Sequence, residues 1–225
     1  NEAVRQKYIP SNPCTFVQLP KHNQTEVSAL SIKEQKQLEK LAFQDSDCSP
    51  IILALYSGLR IGEISGLRWT DIDFEQNLIR VERTVHRILD EQNTETKTKL
   101  ILATPKTTQS KRVVPLSTNL KEYLLEKREK ATSPYLIHSR NTLAEPRVIN
   151  YRFKKLIRAT SFSSIHFHVL RHTFATRCLE QGMDIASLSK ILGHQSTKLT
   201  LDTYADSLLE HRHEEMKKID LLFQK

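Results

Sequence analysis

HVLRHTFATR, His168 to Arg177, sets a histidine and an arginine three residues apart inside a stretch that otherwise reads as an amphipathic helix. Helix positions three apart share a face, so His168 and Arg171 are expected to project side by side while Val169, Leu170 and Phe174 turn mostly toward a core. Read this way, the final third of the chain is helical, with Gly182 and Gly193 placed where left-handed C-cap residues end helices. His194 follows the second of these glycines, and Tyr204 comes ten residues later on a further short helix that Ser196 can cap. A guanidinium fork suits two phosphate oxygens and an imidazole exchanges a proton near neutral pH, so a phosphodiester fits the pair.

The same pattern extends upstream. Ser31 with Glu34 forms a capping box ahead of a helix carrying Ile32, Leu38 and Leu41 on its apolar side. Ser49 and Pro50 read as N-cap and first position of a helix through IILALYS, which Gly58 stops, and Arg60 then stands near the start of a second short helix bearing Ile61, Ile64 and Leu67. From Leu78 to Leu116 the runs LIRVERTVHRIL, KLILATPK and KRVVPL are rich in β-branched residues. They predict three short antiparallel strands, with TTQS as a hairpin turn between the last two. Helical texture resumes over Ser117 to Ala131 and Arg147 to Thr160. The fold class is therefore α+β, mainly α-helical with a small antiparallel three-stranded sheet.

Composition narrows the chemistry. The 225 residues suffice for a sizeable core, and 34 Lys plus Arg against 26 Asp plus Glu leave +8, a field that favours polyanions, nucleic acid first and an anionic membrane surface second. No apolar run is long enough to span a bilayer and NEAVRQKYIP lacks a signal-peptide core, so a cytoplasmic protein is expected. Three cysteines, Cys14, Cys48 and Cys178, without CxxC spacing predict reduced structural thiols. No DxD, HExxH or paired carboxylates stand beside the basic motifs and no glycine-rich phosphate loop occurs, so neither metal nor ATP is expected as a cofactor.

Taken in order, SGLRIGEISGLRW, TPKTTQSKRVVPL, HVLRHTFAT, LGH and TLDTY resemble the motifs of the tyrosine recombinases, the phage and mobile-element integrases. The resemblance runs from about Ser31 to Asp206. It implies a catalytic domain over 31–206, a linker or arm over 1–30 from a core-binding domain lying ahead of it, and a C-terminal helical tail over 207–225. In that tail Leu209, Met216, Ile219 and Phe223 fall at near-helical spacing, which describes an amphipathic helix docking either on its own domain or on a neighbouring subunit.

The resemblance implies roles residue by residue. Tyr204 is matched as the nucleophile, Arg60 and Arg171 as the clamp on the scissile phosphate, His168 as a general acid or base, and His194 as a phosphate donor. Lys106 is matched as the acid that protonates the leaving 5′ oxygen, although Lys97, Lys99 and Lys111 fit the pattern of residues about as well. Glu63 is read as structural, bracing Arg171 or the nearby turn. The implied activity is site-specific cleavage and rejoining of double-stranded DNA through a 3′-phosphotyrosine. Self-association on DNA as a tetramer, accessory DNA-bending or directionality proteins, and a prokaryotic nucleoid setting come with it, and no membrane partner. A noncatalytic DNA-binding regulator of the same fold and a type IB topoisomerase are the alternatives.

Overall fold

The computed structural model describes residues 2–17, 29–90, 97–103, 111–139, 142–204 and 216. Among them helices dominate and every paired strand is antiparallel, as an α+β reading requires. Residues 2–17 hold one helical turn, α1 (Glu2–Arg5), and a 3-10 turn over Pro13–Phe16, neither of which buries a side chain.

Helix α2 (Ile32–Gln44) opens on the predicted capping box: Ser31 Oγ accepts from the Glu34 amide and Glu34 Oε2 accepts from the Ser31 amide. Leu38 and Ala42, four apart, face inward. Ile32 does not join them and is 58% exposed; six residues before Leu38, it lies about 120° away round the helix. Helix α3 (Ser49–Ser57) begins one residue earlier than predicted, with Ser49 and Pro50 both inside it. A 3-10 turn over Ser46–Cys48 runs straight into α3, so the capping side chain is Asp45, which accepts from the Asp47 amide. Ser49 Oγ instead donates to the Ser46 carbonyl and accepts from the Tyr123 hydroxyl. Ile51 to Leu55 are all buried, which makes α3 the central helix of the core. Gly58 ends it in the left-handed region at φ +64°, and a Cβ there would lie 2.5 Å from Phe174 Cδ1. Helix α4 (Ile61–Gly66) follows at once.

Strands β1 (Ile72–Asp73), β2 (Leu78–Val81), β3 (Thr84–Leu89), β4 (Thr98–Ala103) and β5 (Arg112–Pro115) pair differently from the predicted series. The three-stranded sheet is β1-β2-β5, with Ile79 opposite Val114, while β3 and β4 form a separate ribbon with Val85 opposite Leu102. LIRVERTVHRIL is thus two strands in two sheets. The break comes at Glu82 and Arg83, where Arg83 Nη1 donates to both oxygens of buried Asp71, an anchor that β-branched texture conceals. The runs flanking TTQS pair with different partners, and the turn itself lies outside the described residues. A two-residue pair, β6 (His138–Ser139) and β7 (Thr142–Leu143), precedes the last helices.

Helix α5 (Thr118–Glu129) is capped by Ser117, and α6 (Pro146–Ile157) buries Ile149, Phe153 and Ile157 at four-residue spacing. Helices α7 (His168–Glu180), α8 (Ile185–Leu192) and α9 (Thr197–Tyr204) follow, and Ser196 Oγ accepts from the Leu199 amide as predicted. The main core joins α2 to α7 and the three-stranded sheet, while Ala175, Leu179, Leu188, Leu192 and Tyr204 form a second, smaller one. The cysteines are free: Cys48 is buried and Cys178 half-buried, whereas Cys14 is exposed and packs in no core. Among the described residues no helix is long and apolar enough to cross a membrane. Of the tail only Met216 is described, and Leu209, Ile219 and Phe223 lie outside.

Candidate active site

A helix leaves its last carbonyls without intrahelical partners, and its C-terminal end carries partial negative charge. At the end of α8 three arginines from three elements take up these carbonyls. Arg112 Nε on β5 donates to Ile191 O at 2.5 Å. Arg60, the residue before α4, donates to Leu192 O at 3.2 Å and to Gly193 O at 3.4 Å. Arg171 on α7 donates to the same Leu192 O at 2.6 Å and to Gly58 O at 2.6 Å. Arg60 and Arg171 therefore meet on one carbonyl although 111 positions apart in the chain.

Like charges gathered this closely need an anion, and Glu63 supplies it. Its buried carboxylate accepts from the Arg60 amide at 2.8 Å, from Arg60 Nη1 at 3.0 Å, and from both Nη atoms of Arg112 at 2.8 and 2.9 Å. Burial alone would raise its pKa, but the Arg112 and Arg60 bonds win and hold it down at about 2. Glu63 hydrogen-bonds Arg60 and Arg112, whereas Arg171, the residue it was expected to brace, is held by the Gly58 and Leu192 carbonyls. Burial and then the Arg60 charge push Arg171 down to about 9, which leaves it cationic at neutral pH.

Gly193 joins α8 to His194 at φ +65°, and a Cβ there would stand 2.8 Å from Arg112 Cδ. Arg112 is pinned at both ends, so it cannot step aside. Gly193→Ala is expected to cost ~2 kcal/mol from left-handed backbone strain plus the clash, lowering the melting midpoint by about 5 °C in a thermal scan. A midpoint unchanged within error would show that this corner is not rigid.

Two of the remaining groups, His194 and Tyr204, lie on the C-terminal side of that corner. His194 is half-buried, its Nδ1 hydrogen bonded to Thr200 Oγ1 at 2.8 Å. Burial, with Arg171, Arg60 and Arg112 nearby, holds its pKa at about 4. Tyr204 is 3% exposed, its ring in the second core and its hydroxyl hydrogen bonded to His172 Nδ1 at 2.9 Å. Burial pushes the phenol up to about 12, against the pull of Arg171 and Arg60. His168 does not stand beside Arg171 as an equal. It is exposed at the start of α7 and lines, with Arg60, Thr84, Arg87 and Arg147, an open cavity of about 380 Å³, whereas Arg171 is 2% exposed and turned inward.

The structure thus brings Arg60, His168, Arg171, His194 and Tyr204 to one corner. Lys106 lies outside the described residues. Of the alternatives, Lys99 pairs with Asp90 at 3.3 Å on the ribbon, and Lys97 and Lys111 are exposed. Sequence reasoning missed two residues. Arg112 lies within KRVVPL beside Lys111 and carries no motif of its own, and His172 is four positions after His168, a spacing that puts it on the same helix face. Among the described residues no three His, Cys, Asp or Glu side chains gather as a metal ion would need.

Comparison with known proteins supplies the context for this corner. The sequence profile described as the Phage integrase family matches residues 23–211. A "Tyrosine recombinase XerC-like" protein of Caldanaerobacter subterraneus subsp. tengcongensis is 31% identical over 99% of this chain and 63% of its own length. The transposase from transposon Tn916 of Enterococcus faecalis is 27% identical over 97% of this chain and 58% of its own. The chain spans about three fifths of the length of these curated relatives. Among solved structures, the integrase of transposon Tn1549 in complex with transposon right-end DNA superposes with a TM-score of 0.77 at 23% identity, over 97% of this chain and 75% of that one.

Proposed function

The chain belongs to the phage integrase family, the tyrosine recombinases, and from that premise we propose that it cleaves and rejoins double-stranded DNA at specific sites, moving a mobile element into and out of a chromosome. The observation that carries this reading is the meeting of Arg60 and Arg171 on the Leu192 carbonyl, with His194 and Tyr204 on the segment that follows. Two guanidiniums fixed before substrate arrives neutralise charge on a phosphoryl group without reorganising, which is the main service a protein offers phosphoryl transfer.

In this reading the scissile phosphate sits against Arg60 and Arg171, with His168 and His194 at its edges. The Tyr204 oxygen attacks phosphorus and the P–O5′ bond breaks, leaving a 3′-phosphotyrosine and a 5′ hydroxyl whose proton comes from Lys106. The phosphotyrosine keeps the bond energy until a 5′ hydroxyl attacks it, so joining needs neither ATP nor metal. Residues 31–206 are the catalytic domain, 1–30 its linker, and 207–225 a C-terminal tail that docks on its own domain or on a neighbouring subunit, within a tetramer on DNA. The working place is the cytoplasm, at the nucleoid.

Incubation of the purified chain with nicked suicide duplexes spanning the ends of its own element is expected to give a denaturant-stable adduct, with the DNA mapped to Tyr204 by mass spectrometry. DNA binding with no adduct on any such duplex would sink this reading in favour of a noncatalytic regulator. An adduct that only ever rejoins its original strand would point to the topoisomerase alternative.

A further inference from the structure

His172 has no place in the chemistry just given, yet it is the group hydrogen bonded to the Tyr204 hydroxyl, at 2.9 Å with the rings 5.8 Å apart. On its other side the His168 ring meets it edge-on at 4.6 Å and 90°. Both histidines are on α7, four residues apart, so the helix fixes the imidazole against the end of α9. His168 lies one turn earlier on the cavity wall, and the Nδ1 of His194 is engaged by Thr200.

Resting on the strand-cleavage reading, we propose that His172 is the catalytic base: its Nδ1 takes the hydroxyl proton as the Tyr204 oxygen attacks phosphorus. This role requires the tautomer with the ring hydrogen on Nε2, which leaves the Nδ1 lone pair facing the hydroxyl. As the Oη–P bond forms, the O–H electron pair stays on oxygen and the proton passes to Nδ1, giving an imidazolium. The P–O5′ bond breaks with its electron pair on the 5′ oxygen, which a separate acid protonates. On rejoining, the conjugate base of that separate acid takes the proton of the 5′ hydroxyl as its oxygen attacks phosphorus, the Oη–P bond breaks with its electron pair on the phenol oxygen, and the imidazolium returns the proton to it.

The surrounding charges make this base dependent on substrate. Burial first, then His168 and Arg171, hold the His172 ring down at about 4. Burial holds the phenol at about 12, with Arg171 and Arg60 lowering it and Cys178 raising it. The proton therefore rests on Tyr204 until a phosphodiester anion bound across Arg60 and Arg171 offsets the cationic field around the imidazole. Protein without DNA keeps its nucleophile protonated, and DNA itself recruits the base.

The test uses His172→Asn and His172→Gln in the full chain with the same nicked duplex. An amide oxygen accepts the hydroxyl hydrogen bond but cannot keep the proton, so a residue that merely positions Tyr204 would be replaced and a base would not. Both variants are expected to bind DNA as the parent does and to form adduct about 100-fold more slowly. Their rates should go on rising toward about pH 9, as the phenol ionises unaided, where the parent levels off. A variant that binds DNA and forms adduct within about three-fold of the parent overturns the assignment. Loss of the DNA complex in both variants does so too, by making His172 a structural residue. Absence of adduct with the parent protein would overturn the recombinase reading instead.

Discussion

Tyr204→Phe is expected to abolish the covalent protein–DNA adduct altogether while leaving the fold and the DNA complex in place. The tyrosine ring packs among Ala175, Leu179, Leu188 and Leu192, and phenylalanine fills the same volume. What goes is one oxygen and its hydrogen bond to His172. Such a loss costs ~1 kcal/mol, with the half-buried imidazole left short of a partner, so the melting midpoint should fall by only about 3 °C. Arg60 and Arg171 keep their anchors on α8 and continue to attract the phosphate, so retention of a duplex in a gel should match the parent at equal salt. Adduct formation has no such reserve, because the oxygen that is lost is the proposed nucleophile itself, and the Thr200 hydroxyl is engaged by His194 Nδ1. Residual adduct in Tyr204→Phe at a rate near that of the parent would assign the nucleophile elsewhere and dissolve the site.

Much of this corner was legible because its backbone punctuation is written in single residues. Gly58 and Gly193 both take the left-handed conformation at the positions where helix ends were expected, and those two ends carry the carbonyls on which Arg171 is held. Ser31 and Ser196 cap as read, since a cap is a local contact between residues three apart. Strand partners were not legible. Pairing β2 with β5 and β3 with β4 depends on where the chain turns at Arg83, and that turn depends on an aspartate twelve residues upstream. The burial of Arg171 was equally hidden, because a charged residue enters a core only when distant carbonyls wait for it, and Gly58 lies 113 residues away. The reading of Ile32 failed for a simpler reason: apolar residues do not share a face merely by sharing a helix.

Glu63→Gln is expected to destabilise the protein by ~3–5 kcal/mol, the range for breaking a buried ion pair by removing one partner. Glutamine keeps the shape but offers one acceptor oxygen and an amide that points its hydrogens at Arg112, whose side chain is only 5% exposed. The buried guanidinium is left uncompensated, and in a chain of this size the midpoint should drop by about 10 °C. The pH dependence carries the same information with a definite sign. The folded carboxyl titrates at about 2 and the unfolded one near 4.5. Its contribution, ~3 kcal/mol for a shift of this size, is therefore fully present above the unfolded value and lost as pH falls toward 2. Parent and variant should melt far apart at pH 7 and draw together below about pH 3; a constant gap across that window would mean that Glu63 stabilises by packing and not by charge. Adding Arg112→Met to Glu63→Gln removes the stranded cation and should recover much of the stability. It should not recover adduct formation, because Arg60 would still lack the carboxylate that fixes its fork beside Arg171. A double variant that regained both would show that Arg60 holds its place from the α8 carbonyls alone.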